Sequence, residues 1–131
     1  MDCLFCKIVN GEMDSYIVYQ DDKCVVTLDI NPHDKGHILI IPKEHVKIFF
    51  TMNPDLMSHL LKVTYLFSKD IEKEFKTKTT INIPNGGAAG QRIEHASIQV
   101  IPGDVLNLKK SKKNNKETFK KLKEIIKSSF E

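Results

Sequence analysis

The chain has 131 residues, 40% of them apolar and 28% charged, the proportions of a globular domain and not of a disordered segment. That length suits a single core. No run approaches the roughly 20 apolar residues of a membrane span, and three cysteines are an odd number for a disulfide scaffold. The formal charge of +3 is unevenly spread: residues 104–131 hold nine lysines against four acids, and residues 1–103 hold eleven basic against thirteen acidic side chains. The body is thus slightly acidic and the tail carries the excess, as a solvated helix face or as a contact for RNA or an acidic partner. The opening MDCLFCKIVNGE has no basic stretch leading into an apolar run, so a cytoplasmic, thiol-reducing setting is expected.

In chain order, residues 16–20 and 24–29 are β-rich and flank the turn-forming Asp21-Asp22-Lys23, which predicts a hairpin. Residues 31–36 read as a loop and 37–42 as a buried strand stopped by Pro42. Asn53 is suited to cap a helix and Pro54 to begin it. Leu56, Leu60, Val63, Phe67, Ile71 and Phe75 then recur at steps of three and four, predicting one long amphipathic helix. Residues 79–83 read as a strand, 84–91 as a loop of small residues, and 93–102 as a strand ended by Pro102. Residues 108–116 are polar and lysine-rich, and Phe119, Leu122, Ile126 and Phe130 stripe a terminal helix. This order predicts an α+β domain with an antiparallel sheet, one long helix and a C-terminal helix. Residues 1–107 form its body, and the 108–131 connection and helix pack on the same domain.

Two places could carry chemistry. Alternation along 93–102 puts His95, Ser97 and Gln99 on one face and Ala96, Ile98 and Val100 on the other. Any half-buried strand has such a polar row, but here it follows Asn85-Gly86-Gly87-Ala88-Ala89-Gly90, a loop whose bare backbone suits a phosphate. The second place is Cys3-Leu4-Phe5-Cys6, a CxxC spacing that fits either a redox pair or half of a zinc site, with five histidines to choose from. Cys24 reads as a core residue, and His33 and His59 as surface residues.

Taken together, CLFCKIVNGE, LDINP, KGHILIIPKEH and NGGAAGQRIEHASIQVIP occur in the order found in the histidine triad (HIT) family, which the chain resembles over residues 3–103. The resemblance implies a HIT-like fold, a homodimer, and a purine nucleotide or related phosphate compound as ligand. It implies nucleotide contacts at Asp29, Ile30, Asn85, Gly90, Gln91, Arg92 and Gln99, with His37 supporting the catalytic position. It also implies a structural Zn2+ held by Cys3, Cys6, His45 and His95. The family's triad strand reads His-x-His-x-His or His-x-His-x-Gln, and its middle histidine is the nucleophile. Here that strand reads His95-Ala96-Ser97-Ile98-Gln99, so Ser97 stands in the nucleophile's place. Covalent nucleotidyl-histidine chemistry is therefore expected to be lost or very weak. Two alternatives are a hydrolase or transferase working by a modified mechanism, and an interaction protein that uses the basic tail. Thr27 replaces an aromatic that the family usually places near the base, and Gly103 a basic residue after the Ile-Pro step.

Overall fold

The computed structural model describes residues 3–29, 36–103 and 115–129. A short helix α1 (Leu4–Val9) leads into strands β1 (Ile17–Gln20), β2 (Cys24–Leu28) and β3 (Ile38–Pro42). After a 3-10 turn at Phe49–Thr51 come the long helix α2 (Pro54–Phe75), strand β4 (Thr79–Asn82), a second 3-10 turn at Gly87–Ala89, strand β5 (Ile98–Pro102) and helix α3 (Asn115–Ser129). The five strands form one sheet in the order β1-β2-β3-β5-β4, and every neighbouring pair is antiparallel. The expected α+β architecture is the observed one.

Local chemistry places the elements. The Asn53 side chain accepts from Asp55 N at the start of α2, and Pro54 occupies the first turn. Leu60, Val63, Phe67 and Ile71, one stripe of α2, are buried against the sheet face formed by Val26, Leu28, Ile38, Ile40, Ile98 and Val100. Each such side chain contributes roughly 1.5–3 kcal/mol by leaving water. Leu122 of α3 is fully buried in the same core, and Phe119 packs against it. The opposite sheet face packs Val25, Leu39 and Ile41 against Cys3, Phe5 and Ile8 at the N-terminus. Gly36 sits at φ 85°, and a Cβ there would come within 2.9 Å of the Phe75 ring, so this entry to β3 requires glycine twice over.

Two features differ from the expectation. Helix α1 was not foreseen: six residues are too few to display a period, and its N-cap is Cys3, whose sulfur accepts from Cys6 N. The last strand begins at Ile98 and not at residue 93. The ladder pairs Ile38 with Val100 and Ile40 with Ile98, so its next inward partner would be Pro42, which has no N–H to give. The chain before Ile98 bonds elsewhere instead: His95 N donates to Ile93 O at 2.8 Å and Ala96 N to Val46 O at 2.6 Å. Ile30, His33 and Phe130 lie outside the described residues.

Candidate nucleotide and metal sites

Thr27 pairs with Leu39, and Leu39 with Gln99, in a row across β2, β3 and β5 on the face that carries α1. Asp29 follows β2 and His37 precedes β3, the two joined by an Asp29 N to His37 O bond of 3.0 Å, and Ser97 stands one residue before β5. His37 Nε2 lies 3.3 Å from Gln99 Oε1 and 3.4 Å from Asp29 Oδ2, so these three predicted site residues form one polar chain. His37 is buried, while Asp29 and Gln99 are half-buried, which leaves their outer ends open to a ligand. Ser97 is 7% exposed and stands two residues before Gln99. The Thr27 hydroxyl donates to Tyr16 O at 3.0 Å and is paired with Ser15 Oγ, so this position offers a base neither a ring nor a free hydroxyl.

The small-residue loop is held by its own amides. Gln91 Oε1 accepts from Gly86 N at 2.7 Å, and Gln91 Nε2 donates to Lys47 O at 2.6 Å and Ile93 O at 2.9 Å. The Gln91 side chain therefore shapes the loop. Gly86 and Gly90 have φ of 92° and 94°, values that side chains disfavour, and nothing lies within 4 Å of a Cβ built on Gly86, Gly87 or Gly90. The loop backbone is thus open to a close approach. Asn85 Nδ2 donates to Ile83 O, while its Oδ1 is buried with no partner among the described residues. Arg92 is exposed.

Cys3, Cys6, His45 and His95 converge, with all four ligand atoms within 4.8 Å of one another. Cys3 Sγ is 3.3 Å from His95 Nδ1, and Cys6 Sγ is 3.1 Å from His45 Nδ1 and 3.5 Å from His95 Nδ1. A tetrahedral ion with bonds of about 2.0–2.3 Å spaces its ligands roughly 3.3–3.8 Å apart, close to these three distances, so the set could hold one ion. His95 Nε2 donates to Pro42 O at 2.8 Å. That fixes the tautomer and leaves the lone pair of Nδ1 facing the thiols, the outer-sphere support a metal-binding histidine needs. Burial lowers the His95 pKa, with His45 adding to the effect against the Pro42 bond, which favours the neutral ring. Burial, with Cys3 close by, raises the Cys6 thiol. His95 thus stands with Cys3, Cys6 and His45 in space, a group that could hold a metal ion, although its sequence places it in the triad row.

One cluster was missed by the sequence reading. His59 is not a plain surface residue: its Nε2 lies 2.7 Å from Asp21 Oδ2, tying α2 to the β1–β2 turn. Asp21 Oδ2 also accepts from Tyr19 OH at 2.9 Å, and Asp21 Oδ1 accepts from Lys23 N and Cys24 N at 2.8 Å each. Cys24 is fully buried in the core, as expected.

Comparison with known proteins agrees with this architecture. The HIT domain family model matches residues 10–106, and the chain belongs to the HIT family. An uncharacterized HIT-like protein of Methanocaldococcus jannaschii is 36% identical over 126 residues, covering 94% of this chain and 98% of its own length. Adenylylsulfatase HINT3 of Arabidopsis thaliana is 39% identical over 102 residues, which is 77% of this chain and 52% of that protein. Among solved structures, a Zn-bound histidine triad family protein from Mycobacterium smegmatis superposes with a TM-score of 0.89 at 26% identity, covering 98% of this chain and 95% of that one.

Proposed function

We propose that this protein binds a purine nucleotide or a related phosphate compound, with family-type covalent catalysis lost or very weak because Ser97 stands where the nucleophilic histidine belongs. The carrying observation is the pairing of a complete polar row, Asp29–His37–Gln99, with a hydroxyl at position 97. Asp29 would receive ribose hydroxyls. The open backbone at Gly86–Gly90, with Arg92, would hold phosphate; the unpartnered Asn85 Oδ1 would accept from a ligand donor such as a hydroxyl. A neutral imidazole attacks phosphorus readily near pH 7 and leaves readily afterwards. A serine hydroxyl needs a base to take its proton, and its phosphate ester is far slower to break. The imidazole of His37 is already engaged by Gln99 and Asp29.

Cys3, Cys6, His45 and His95 would hold a structural zinc ion. A closed site of this kind leaves no open position for activating water, and the metal would pin α1 to the sheet. The apposition of the four ligand atoms supports this, as does the Zn-bound relative. A homodimer in the cytoplasm is the accompanying proposal; β4 is an edge strand with Ile81 exposed. No helix among the described residues is long and apolar enough to cross a membrane.

Isothermal titration with AMP, ADP and GMP tests the pocket, and no heat at millimolar ligand contradicts it. Turnover of adenosine phosphoramidate, diadenosine polyphosphate and adenosine 5′-phosphosulfate tests the loss of catalysis. The last substrate is suggested by the relative named as an adenylylsulfatase. Rapid turnover by the native chain favours the modified-mechanism enzyme.

A further inference from the structure

A groove of ≈ 610 Å³ lies where α2 ends and β4 begins, lined by Lys69, Glu72, Lys73, Lys76, Thr77 and Lys78. Four of its six side chains are lysines. The one acid of the lining, Glu72, accepts at Oε2 from Thr79 N at 3.1 Å and Thr79 Oγ1 at 2.9 Å, fastening the helix end to the strand. None of the four lysines has an ion pair among the described residues. The lining holds four lysines against one acid, and over residues 69–78 Asp70 and Glu74 bring the balance to +1.

A helix C-terminus attracts cations for its own sake, but that effect fades beyond the last turn. It accounts for Lys73 and not for Lys69, farther up the helix, or Lys78, on the way to β4. Lys76, the C-cap, lies within its reach, but it is also the one non-glycine residue with positive φ among the described residues, at 50°. The left-handed position after a helix is normally glycine or asparagine, and a lysine there holds its charge at the groove against a backbone preference. Beside the lysines, Tyr65 is 60% exposed, with Lys69 Nζ 5.2 Å from its ring centre. Lysines that track a backbone, next to an exposed aromatic ring, are the elements of a single-strand binding groove. An acidic peptide would use the charges and leave the ring idle.

We propose that this groove on the body of the domain binds single-stranded nucleic acid through its phosphates, independently of the nucleotide pocket and of the lysine-rich tail. The test is fluorescence anisotropy of a labelled oligouridylate with the full chain at several salt concentrations. Four variants are compared: Lys69→Glu/Lys73→Glu, Lys76→Gly, Tyr65→Ala, and one with Lys109, Lys110, Lys112 and Lys113 changed to Gln. Phosphate contacts by three or four lysines give a slope of log K against log salt of about −2 to −3. The double charge reversal is expected to weaken binding by about tenfold or more. Lys76→Gly should weaken binding while raising the melting temperature, which separates a lost contact from a damaged fold. Tyr65→Ala should also weaken binding, and the tail variant should bind nearly as the native chain does. Three results would overturn the proposal: no binding at low salt, unchanged affinity in the groove variants with loss in the tail variant, or equal competition by oligoglutamate with no effect of Tyr65→Ala.

Discussion

Position 97 carries a hydroxyl, and in the proposed function this single side chain separates binding from chemistry. Around it Asp29, His37 and Gln99 keep their contacts through His37, and the proposed reading makes of them a nucleotide pocket without its nucleophile. Asp21 has a different consequence at the same scale. Burial opposes its ionisation, but the bonds from Lys23 N, His59, Tyr19 and Cys24 N outweigh it and hold the carboxyl at about 2, below its ordinary 3.8. A depressed folded-state pKa stabilises the protein above the unfolded value and loses that stabilisation as the pH falls toward the folded one. The native chain should therefore be more stable than Asp21→Asn near neutrality. In urea unfolding, that advantage should fade as the pH drops from about 4 to about 2. An advantage unchanged over this window would remove the Asp21 carboxylate from the account.

Among the elements, α2 was legible in full, because its cap and its spacing of apolar residues are both local. Leu60 is fully buried beneath it, and Leu60→Ala should cost about 2–5 kcal/mol in chemical denaturation. A cost below about 1 kcal/mol would contradict its place in the core. The start of β5 was not legible. Alternation along a strand says which face a side chain takes and nothing about the hydrogen-bonding partner, and what stops this ladder is a proline in β3. Helix α1 was hidden for another reason: its N-cap is Cys3, and the contacts of Cys3 with His95 and of Cys6 with His45 and His95 span separations of 39 to 92 residues. The CxxC spacing alone left zinc and redox chemistry open, and the family resemblance supplied the histidines. The Asp21–His59 contact, 38 residues apart, belongs to no motif, and neither residue marks it in the sequence.

For the whole molecule, one sheet separates two jobs. The face beneath α2 and α3 buries the main core, and the face beneath α1 carries the polar row and the metal-type cluster. If a metal ion ties α1 to the sheet, protein purified without added zinc should carry about one zinc per chain. Cys6→Ser should lose the metal and melt earlier. Metal-free native protein with an unchanged melting temperature would contradict this. The claim that Ser97 divides binding from catalysis is tested most directly by comparing the native chain with Ser97→His for AMP affinity and for turnover of adenosine phosphoramidate. The account predicts measurable AMP binding by both proteins, negligible turnover by the native chain, and a gain of orders of magnitude on restoring the imidazole. Native turnover equal to that of Ser97→His would contradict it.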